Sequence, residues 1–151
     1  MAREFRFPVA IVWDGGRRAT ARVEGKQPLP LATPPEFRGT DPDLWSPEDA
    51  FVAAAGSCLA VTIAALAEHD RLPLRRLDVR AEGVAGRRPD GRFGFLRIEQ
   101  TVELETDAGY EDAARALVAK EAEDGCLVSV SLDLPVETTI DVHAAVSVVA
   151  A

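Results

Sequence analysis

Two cysteines stand 68 positions apart in a chain of 151 residues, each in a distinctive setting. Cys58 lies within an uncharged run of small residues with helical character, and Cys126 follows a second helical segment in the stretch Asp-Gly-Cys-Leu-Val-Ser. A thiolate that attacks an oxidant, together with a second thiol that condenses with the product, makes a minimal thiol peroxidase. These contexts suggest a redox pair that folding brings together. Free cysteines are more often small buried residues, so that interpretation stays open.

A reactive cysteine needs a nearby positive charge or a helix N-terminus to lower its pKa. Cys58 lies 11 positions after Pro47, where the helix is predicted to begin, so the helix end is too far away to help. An arginine from elsewhere must supply the charge, and the candidates are Arg17, Arg18, Arg22 and Arg38. Glu48, ten residues before Cys58, would orient such an arginine, or it simply stabilises the first turn of the helix.

Other catalytic chemistries have less support in the sequence. Neither His69 nor His143 has the spacing of a metal ligand or of a base beside a cysteine, and we expect both on the surface. A thiol hydrolase with Cys58 as acyl nucleophile would therefore lack a base. The glycines between Gly83 and Gly94 do not sit between a strand and a helix, as a phosphate-binding loop would. We predict no metal and no bound cofactor.

Length and composition predict one soluble globular domain over residues 1–151, of which 47% are hydrophobic. A net charge of −8 argues against nucleic acid as a partner. The N-terminal residues do not read as a secretory signal, so we expect cytoplasmic thiols. The uncharged run Ala50–Ala67 is long enough to span a membrane, but its small residues and acidic or mixed flanks favour a buried helix instead.

The predicted elements follow the order strands, long helix, hairpin, helix and strand, which favours an α+β fold with a largely antiparallel sheet. Ser46 is a good N-cap for the long helix, which runs to about Asp70, and Gly125 is placed to cap the second helix. The proline-rich loop over 25–42 is long enough to be functional. The other predicted elements are strands Phe5–Trp13, Arg18–Val23, Leu29–Ala32, Leu74–Gly86, Arg92–Thr106 and Pro135–Val149, the last with an apolar tail, and helix Tyr110–Glu123.

Three stretches of the sequence resemble the OsmC/Ohr family of organic hydroperoxide reductases. They are Gly15-Gly16-Arg17, the segment Ser46–Cys58, and Cys126-Leu127-Val128-Ser129. The order of elements and the interval between the cysteines also fit this family. The chain departs from the family pattern at Leu127, where Pro often follows the cysteine, and at Val130, where Asn often follows the serine. These departures bear on substrate and rate more than on fold.

The resemblance implies an OsmC/Ohr-like fold and an intertwined homodimer, in which antiparallel sheet wraps around a long buried central helix. It implies that Cys58 is the peroxidatic thiol, Cys126 the resolving thiol, and Arg17 with Glu48 the activating pair. It implies reduction of organic hydroperoxides through a Cys58 sulfenic acid and a Cys58–Cys126 disulfide, in peroxide detoxification and the oxidative stress response. A dithiol reductant such as a lipoyl protein would then restore both thiols.

The helix geometry limits how Glu48 can take part. Ten residues of α-helix span about 15 Å, so Glu48 and Cys58 of one continuous helix cannot both touch one guanidinium group. We therefore favour a Glu48 supplied by a second subunit. Apolar walls would favour an alkyl peroxide over hydrogen peroxide, and the residues expected to line the pocket are Phe51, Leu59, Leu44, Trp45 and Arg38.

The alternative hypothesis is a non-catalytic dimer of the same fold. Such a protein would bind a ligand or serve a structural role, and both cysteines would be buried and inert. The reactivity of the thiols distinguishes the two, because a thiolate is labelled quickly and a buried thiol is not.

Overall fold

A computed structural model describes residues 3–124 and 126–145, with the side chain of Glu123 left aside. The sequence predicts one domain, and the contacts between residues divide the chain into two compact units, residues 1–51 and 52–151. Each unit contains a three-stranded sheet of its own. Gly125, predicted to cap a helix, and residues 146–149 of the last predicted strand with its apolar tail lie outside the described residues.

The first unit is an antiparallel meander of β1 (Ala10–Gly15), β2 (Arg18–Arg22) and β3 (Leu29–Ala32). Strand β1 begins at Ala10 and not at the predicted Phe5, because its partner strand ends at Arg22, directly opposite Ala10. Residues 5–9 therefore pair with no strand among the described residues. A short 3-10 helix, Pro35–Phe37, which the sequence did not predict, interrupts the loop that follows β3.

Helix α1 (Pro47–His69) begins where the sequence predicts. The hydroxyl of Ser46 accepts a hydrogen bond from the Asp49 N–H at 3.0 Å, and the Asp49 carboxylate accepts one from the Ser46 N–H at 2.8 Å. This reciprocal pair is a capping box built with aspartate. The helix ends at a left-handed Arg71 (φ 55°), where the Leu72 N–H bonds the Ala67 carbonyl at 2.8 Å.

The second unit is built on a long hairpin of β4 (Leu74–Arg87) and β5 (Phe93–Thr106). Helix α2 (Glu111–Asp124) and the short helix α3 (Leu127–Val130) follow, and β6 (Val136–Ala144) completes the sheet in the order β4-β5-β6. Three of the four described strand pairs are antiparallel, as the sequence predicts, whereas β5 and β6 are parallel. The two helices explain the difference, because a parallel neighbour requires a crossover connection.

One face of this second sheet carries the hydrophobic core. Alternate residues of β5 point to the same face, and Val102 and Leu104 are completely buried there. Both α1 and α2 pack on this face, with the cluster Leu59, Ile63, Val102, Leu104, Ala114, Val118 and Val142. The opposite face is charged, with ion pairs between Arg80 and Glu103 and between Arg97 and Glu99.

Glycines bring α1 very close to β4. A Cβ added to Gly56 would lie 3.1 Å from the Cβ of Ala81. A Cβ added to Gly83 would lie 2.5 Å from both the Phe95 ring and a Val52 methyl. The helix therefore approaches the strand almost at backbone distance, and this contact fixes the position of Cys58, which lies two residues after Gly56.

A second face of α1 is exposed among the described residues of the second unit. The helix is long and apolar enough to cross a membrane by length and composition, with a mean hydropathy of 2.1, and 28% of that stretch is buried. The exposed face of α1 consists of Ala54, Ser57, Val61, Ala64 and Ala65, which recur at helical spacing. Val61 is 66% exposed. The sequence predicts a central helix that is buried within a homodimer. In the single chain, the burial of α1 is incomplete, because this face stays exposed.

The close contact at Gly83 predicts a sharp cost for any side chain there. We expect Gly83→Ala to lower the free energy of unfolding by about 1–3 kcal/mol, because a valine methyl and a ring must move apart. Gly94→Ala is the matched control, since its Cβ would lie 3.3 Å from the movable Cδ of Arg88. Urea denaturation of both variants provides the measurement, and equal losses of stability would contradict the proposed packing.

Candidate functional site

The second unit brings Cys58 and Cys126 together as free thiols. Cys58 lies on α1 and is half-buried, whereas Cys126 immediately precedes α3 and is only 3% exposed. The two side chains lie close enough for each thiol to change the pKa of the other. Contact of this kind is what condensation to a disulfide requires.

The short helix α3 surrounds the Cys126 sulfur with hydrogen-bond donors. Ser129 Oγ lies 3.3 Å from Cys126 Sγ, and the backbone N–H groups of Val128 and Ser129 also point to the sulfur. Cys126 itself is extended (φ −70°, ψ 160°), and its carbonyl accepts the Val130 N–H at 3.1 Å. Helix α3 is not predicted from the sequence, because its four residues are too few to show helical periodicity.

These donors determine the acidity of Cys126. Burial by itself would raise the pKa of the thiol, because it disfavours the charged form. The hydrogen bonds from Cys58, from the Ser129 hydroxyl and from the two backbone N–H groups outweigh burial and hold the pKa of Cys126 below its ordinary value. A thiolate on Cys126 is therefore stabilised inside the protein.

Cys58 responds in the opposite direction. Burial raises the pKa of its thiol, and the interaction with Cys126 raises it further. The Val128 N–H and the Thr62 side chain, one helical turn further along α1, oppose this change without reversing it. The interaction between the two thiols thus shifts their pKa values in opposite directions, raising that of Cys58 and lowering that of Cys126.

The first unit contains the arginines proposed to activate a thiol. Arg17 Nη1 donates to the carbonyls of Phe37 at 3.0 Å and Arg38 at 2.7 Å. Arg18 is ion-paired with Asp41. Arg38 has a left-handed backbone (φ 63°) just after the 3-10 helix, which presents its carbonyl to Arg17. Among the described residues, Arg18 is thus paired with a carboxylate, whereas Arg17 donates to neutral carbonyl oxygens.

Glu48 lies in the first turn of α1 with one carboxylate oxygen, Oε2, buried. Within the described part of the chain this oxygen accepts no hydrogen bond. A buried carboxylate oxygen without a donor is costly, so its position calls for a cation or another donor. The structure does not pair Glu48 with Arg17.

An apolar groove of about 440 Å³ in the first unit contains Arg17. Its walls include Ile11, Trp13 and Leu31. The sequence analysis missed this groove, although the apolar alternation of Ile11 and Trp13 just before Gly15-Gly16-Arg17 was a usable signal. The predicted pocket residues lie elsewhere: Leu44, Trp45, Arg38 and Phe51 belong to the same unit without lining this groove, and Leu59 is only 2% exposed in the core of the second unit.

Both histidines are exposed, at the end of α1 and on β6. Over residues 3–124 and 126–145, no three side chains of His, Cys, Asp or Glu are grouped as metal ligands. The chemistry available in the described residues therefore centres on the thiol pair.

Comparison with known proteins connects this arrangement to one family. The family model described as OsmC-like protein matches residues 40–141. An uncharacterized protein of Bacillus subtilis, YmaD, is 28% identical over 133 residues, which cover 85% of this chain and 87% of YmaD.

Solved structures share the fold at lower identity. An OsmC-like protein of unknown function from Vibrio cholerae aligns with a TM-score of 0.81 and 17% identity, covering 91% of this chain and 99% of that protein. An organic hydroperoxide resistance protein from Elizabethkingia anophelis aligns with a TM-score of 0.72 and 18% identity, covering 95% and 100%. The OsmC-like α+β fold is thereby confirmed.

The interaction between the two thiols predicts that removing either one changes the pKa of the other. Cys58→Ala should raise the pKa of Cys126, because Cys126 loses a donor. Cys126→Ala should lower the pKa of Cys58, because the neighbour that raises it is gone. Thiolate absorbance in the ultraviolet, followed against pH, measures both changes. If the pKa of the remaining cysteine is unchanged in both variants, the interaction between the two thiols is contradicted.

Proposed function

The chain belongs to the OsmC-like protein family, and from this premise we propose that it is a thiol-dependent peroxidase that reduces organic hydroperoxides. The observation that carries the proposal is that folding brings two free thiols, Cys58 and Cys126, close enough for each to change the pKa of the other. Relatives of the same fold are named organic hydroperoxide resistance proteins, which supports the substrate class. The proposed role is peroxide detoxification in the oxidative stress response, in the cytoplasm.

The proposed reaction begins at Cys58. Its thiolate attacks the distal oxygen of ROOH, the O–O bond breaks, and the alcohol leaves with a proton while Cys58 becomes a sulfenic acid. Cys126 then attacks the Cys58 sulfur, water leaves, and a disulfide joins the two residues. Accessibility favours this order, because Cys58 is half-buried whereas Cys126 is only 3% exposed. The scheme uses no metal and no organic cofactor.

Cys58 needs an added positive charge for this role, because its surroundings in the second unit raise the pKa of the thiol. We propose that Arg17 supplies this charge and that Glu48, contributed by a second subunit, orients the guanidinium. Arg17 donates to two carbonyls, not to a carboxylate, while Glu48 Oε2 lacks a donor among the described residues. The Arg17 guanidinium would therefore gain a negative partner from Glu48, and the buried Glu48 oxygen would gain a hydrogen-bond donor from Arg17.

The groove that contains Arg17 supports an organic substrate. Its walls include Ile11, Trp13 and Leu31, so an alkyl group of the peroxide would be removed from water there. Each buried CH₂ contributes roughly 0.8 kcal/mol, which hydrogen peroxide cannot gain. We propose a dithiol, such as the one on a lipoyl protein, as the reductant that completes the cycle.

The uncovered surfaces support a homodimer. The exposed face of α1 is uncharged. Residues 5–9 pair with no strand in the described part of the chain, and they carry Phe5 and Phe7, which are 67% and 76% exposed. Contiguous apolar surface of this kind marks an interface in soluble proteins. A second copy that lays its own α1 and N-terminal residues against these surfaces would cover both at once.

A non-catalytic dimer is the competing proposal, and two observations favour it. The raised pKa of Cys58 and the burial of Cys126 are what inert thiols would show. The two proposals differ in the response to peroxide, because inert thiols survive it.

The peroxidase proposal predicts different failures for the two cysteines. Reduced protein mixed with one equivalent of cumene hydroperoxide should lose both free thiols to an intramolecular Cys58–Cys126 disulfide. Cys58→Ser should abolish peroxide consumption, since the attacking sulfur is gone. Cys126→Ser should consume one equivalent and then overoxidise, since no thiol remains to resolve the sulfenic acid. Thiol counting and mass analysis without reductant measure these outcomes.

Ser131→Ala is the matched control for these variants. Ser131 lies just after α3, near Cys126, and its hydroxyl donates to the carbonyl of Leu127 at 2.7 Å. This variant should turn over peroxide like the unaltered protein. Normal turnover by Cys58→Ser, or two thiols that survive peroxide in the unaltered protein, would refute the scheme.

The dimer proposal predicts that a charge on the exposed face of α1 blocks assembly. Val61→Asp should convert a dimer to monomers, because burying an unpaired carboxylate costs several kcal/mol. Lys120→Glu, on the exposed side of α2, should leave the assembly unchanged. Analytical ultracentrifugation measures both. A dimer that tolerates Asp at position 61 would place the interface elsewhere, and a protein that sediments only with detergent or lipid would point to a membrane instead.

A further inference from the structure

The two sulfurs of the thiol pair have unequal surroundings. Cys126 Sγ is buried and lies 3.3 Å from Ser129 Oγ, with two backbone N–H groups directed at it. Cys58 is the more exposed of the two, and its described donors are the Val128 N–H and the Thr62 side chain. A disulfide between them would therefore present two chemically different sulfurs to a reductant.

We propose that a reducing thiol opens the Cys58–Cys126 disulfide by attacking Cys58 Sγ, and that the Ser129 hydroxyl assists by stabilising Cys126 as the leaving thiolate. This inference rests on the proposed function only in assuming that the disulfide is part of the working cycle. It assigns Ser129 a catalytic role, because its hydroxyl contacts one of the two sulfurs whose bond breaks.

The exchange is balanced for a dithiol reductant. Its first thiolate forms an S–S bond to Cys58 as the Cys58–Cys126 bond breaks, and the electron pair of that bond leaves on Cys126. The second thiol of the reductant, once deprotonated, attacks the mixed disulfide, releases Cys58 and closes the cyclic disulfide of the reductant. Two electrons pass to the protein, and the two protons given up by the reductant are available to the two cysteines.

Access and leaving-group stability select the same sulfur. Exchange is faster at an accessible sulfur and when the departing thiolate is the more stable one. Cys58 is the accessible sulfur, and Cys126 is the one whose thiolate is hydrogen-bonded. The lowered pKa of Cys126 in the reduced pair is consistent with this assignment. Attack at Cys126 would instead require a reductant to enter the core and to expel the less stabilised Cys58 thiolate.

Ser129 differs in this respect from the two other serines near the cysteines. The hydroxyl of Ser131 donates to the Leu127 carbonyl at 2.7 Å, and that of Ser57 reaches the Ala54 carbonyl at 3.4 Å. Both hydroxyls therefore bond to backbone carbonyls, whereas Ser129 Oγ lies 3.3 Å from Cys126 Sγ. Ser131 lies just after the same short helix and provides a matched control.

The test uses protein whose disulfide is formed with diamide, so that no peroxide is needed. Oxidised protein, freed of diamide, is mixed with excess glutathione, quenched with mild acid and alkylated with N-ethylmaleimide. Peptide mass analysis then locates each adduct. The expected early product carries glutathione on Cys58 and maleimide on Cys126, in at least about tenfold excess over the reverse pattern.

Variants of Ser129 test the role of the hydroxyl. Ser129→Ala should slow the opening several-fold, reduce the bias between the two sulfurs and raise the pKa of Cys126 in the reduced protein, whereas Ser129→Thr should restore all three. Ser131→Ala should match the unaltered protein. A purely structural role for Ser129 would move stability without moving the bias or the pKa.

Each remaining outcome decides the proposal. Glutathione found mainly on Cys126, an even distribution, or a bias unaffected by Ser129→Ala would overturn it, as would failure of diamide to join the two cysteines. The peroxidase proposal is judged separately with cumene hydroperoxide. Protein that does not react with the peroxide but opens its diamide-formed disulfide at Cys58 would refute the peroxidase function and leave this inference standing. Protein that reduces the peroxide but opens the disulfide at Cys126 would support the function and refute this inference.

Discussion

The close approach of α1 to β4 is the constraint on which the thiol chemistry depends. Gly56 and Gly83 remove the side chains that would hold helix and strand apart, so a Cβ at Gly56 would come within 3.1 Å of Ala81. Cys58 follows Gly56 by two residues and is set at a fixed height over the sheet. Leu59 and Ile63 then anchor the next turns in the core. Interiors packed this tightly respond to single methyl groups, so the sulfur has little freedom to drift.

The second half of the pair is positioned by a different device. Cys126 lies between α2 and α3, and its backbone turns so that the next N–H groups and the Ser129 hydroxyl converge on its sulfur. Negative charge is therefore accommodated at Cys126 without a cation in the second unit. Cys58 has fewer donors, and burial together with Cys126 raises its pKa. The fold thus separates the acidities of two chemically identical side chains, as enzymes do when two groups must play different roles.

Much of this fold was readable from the sequence. The Ser46-Pro47 start of α1, the strand Leu29–Ala32 and the hairpin of β4 and β5 follow from capping, turn and alternation rules, and the structure bears them out. The parallel pairing of β6 was not readable, because it depends on where α2 and α3 return the chain. The late start of β1 at Ala10 was missed for a similar reason, since strand character in Phe5–Val9 has no effect without a neighbour.

The site was only partly readable, and the reason is again long-range contact. The sequence pointed to both cysteines, but the donors around Cys126 arise from the four-residue helix α3, and no periodicity announces so short an element. The groove at Arg17 combines residues from β1, β2 and β3 and so appears only when the meander has formed. Leu59 was expected to line a pocket, and the core of the second unit uses its side chain instead.

The surroundings of Cys58 within one chain explain why a second subunit would matter for the reactivity of this thiol. A protonated thiol is a poor nucleophile, and burial together with Cys126 raises the pKa of Cys58 within the second unit. Supplying a guanidinium makes the Cys58 thiolate accessible, while a buried Glu48 oxygen without a donor would bind that same guanidinium. Helix geometry separates Glu48 from Cys58 by about 15 Å along α1. If assembly completes this trio, the exposed face of α1 and the acidity of Cys58 are linked, and an isolated chain would hold its thiols in the unreactive state.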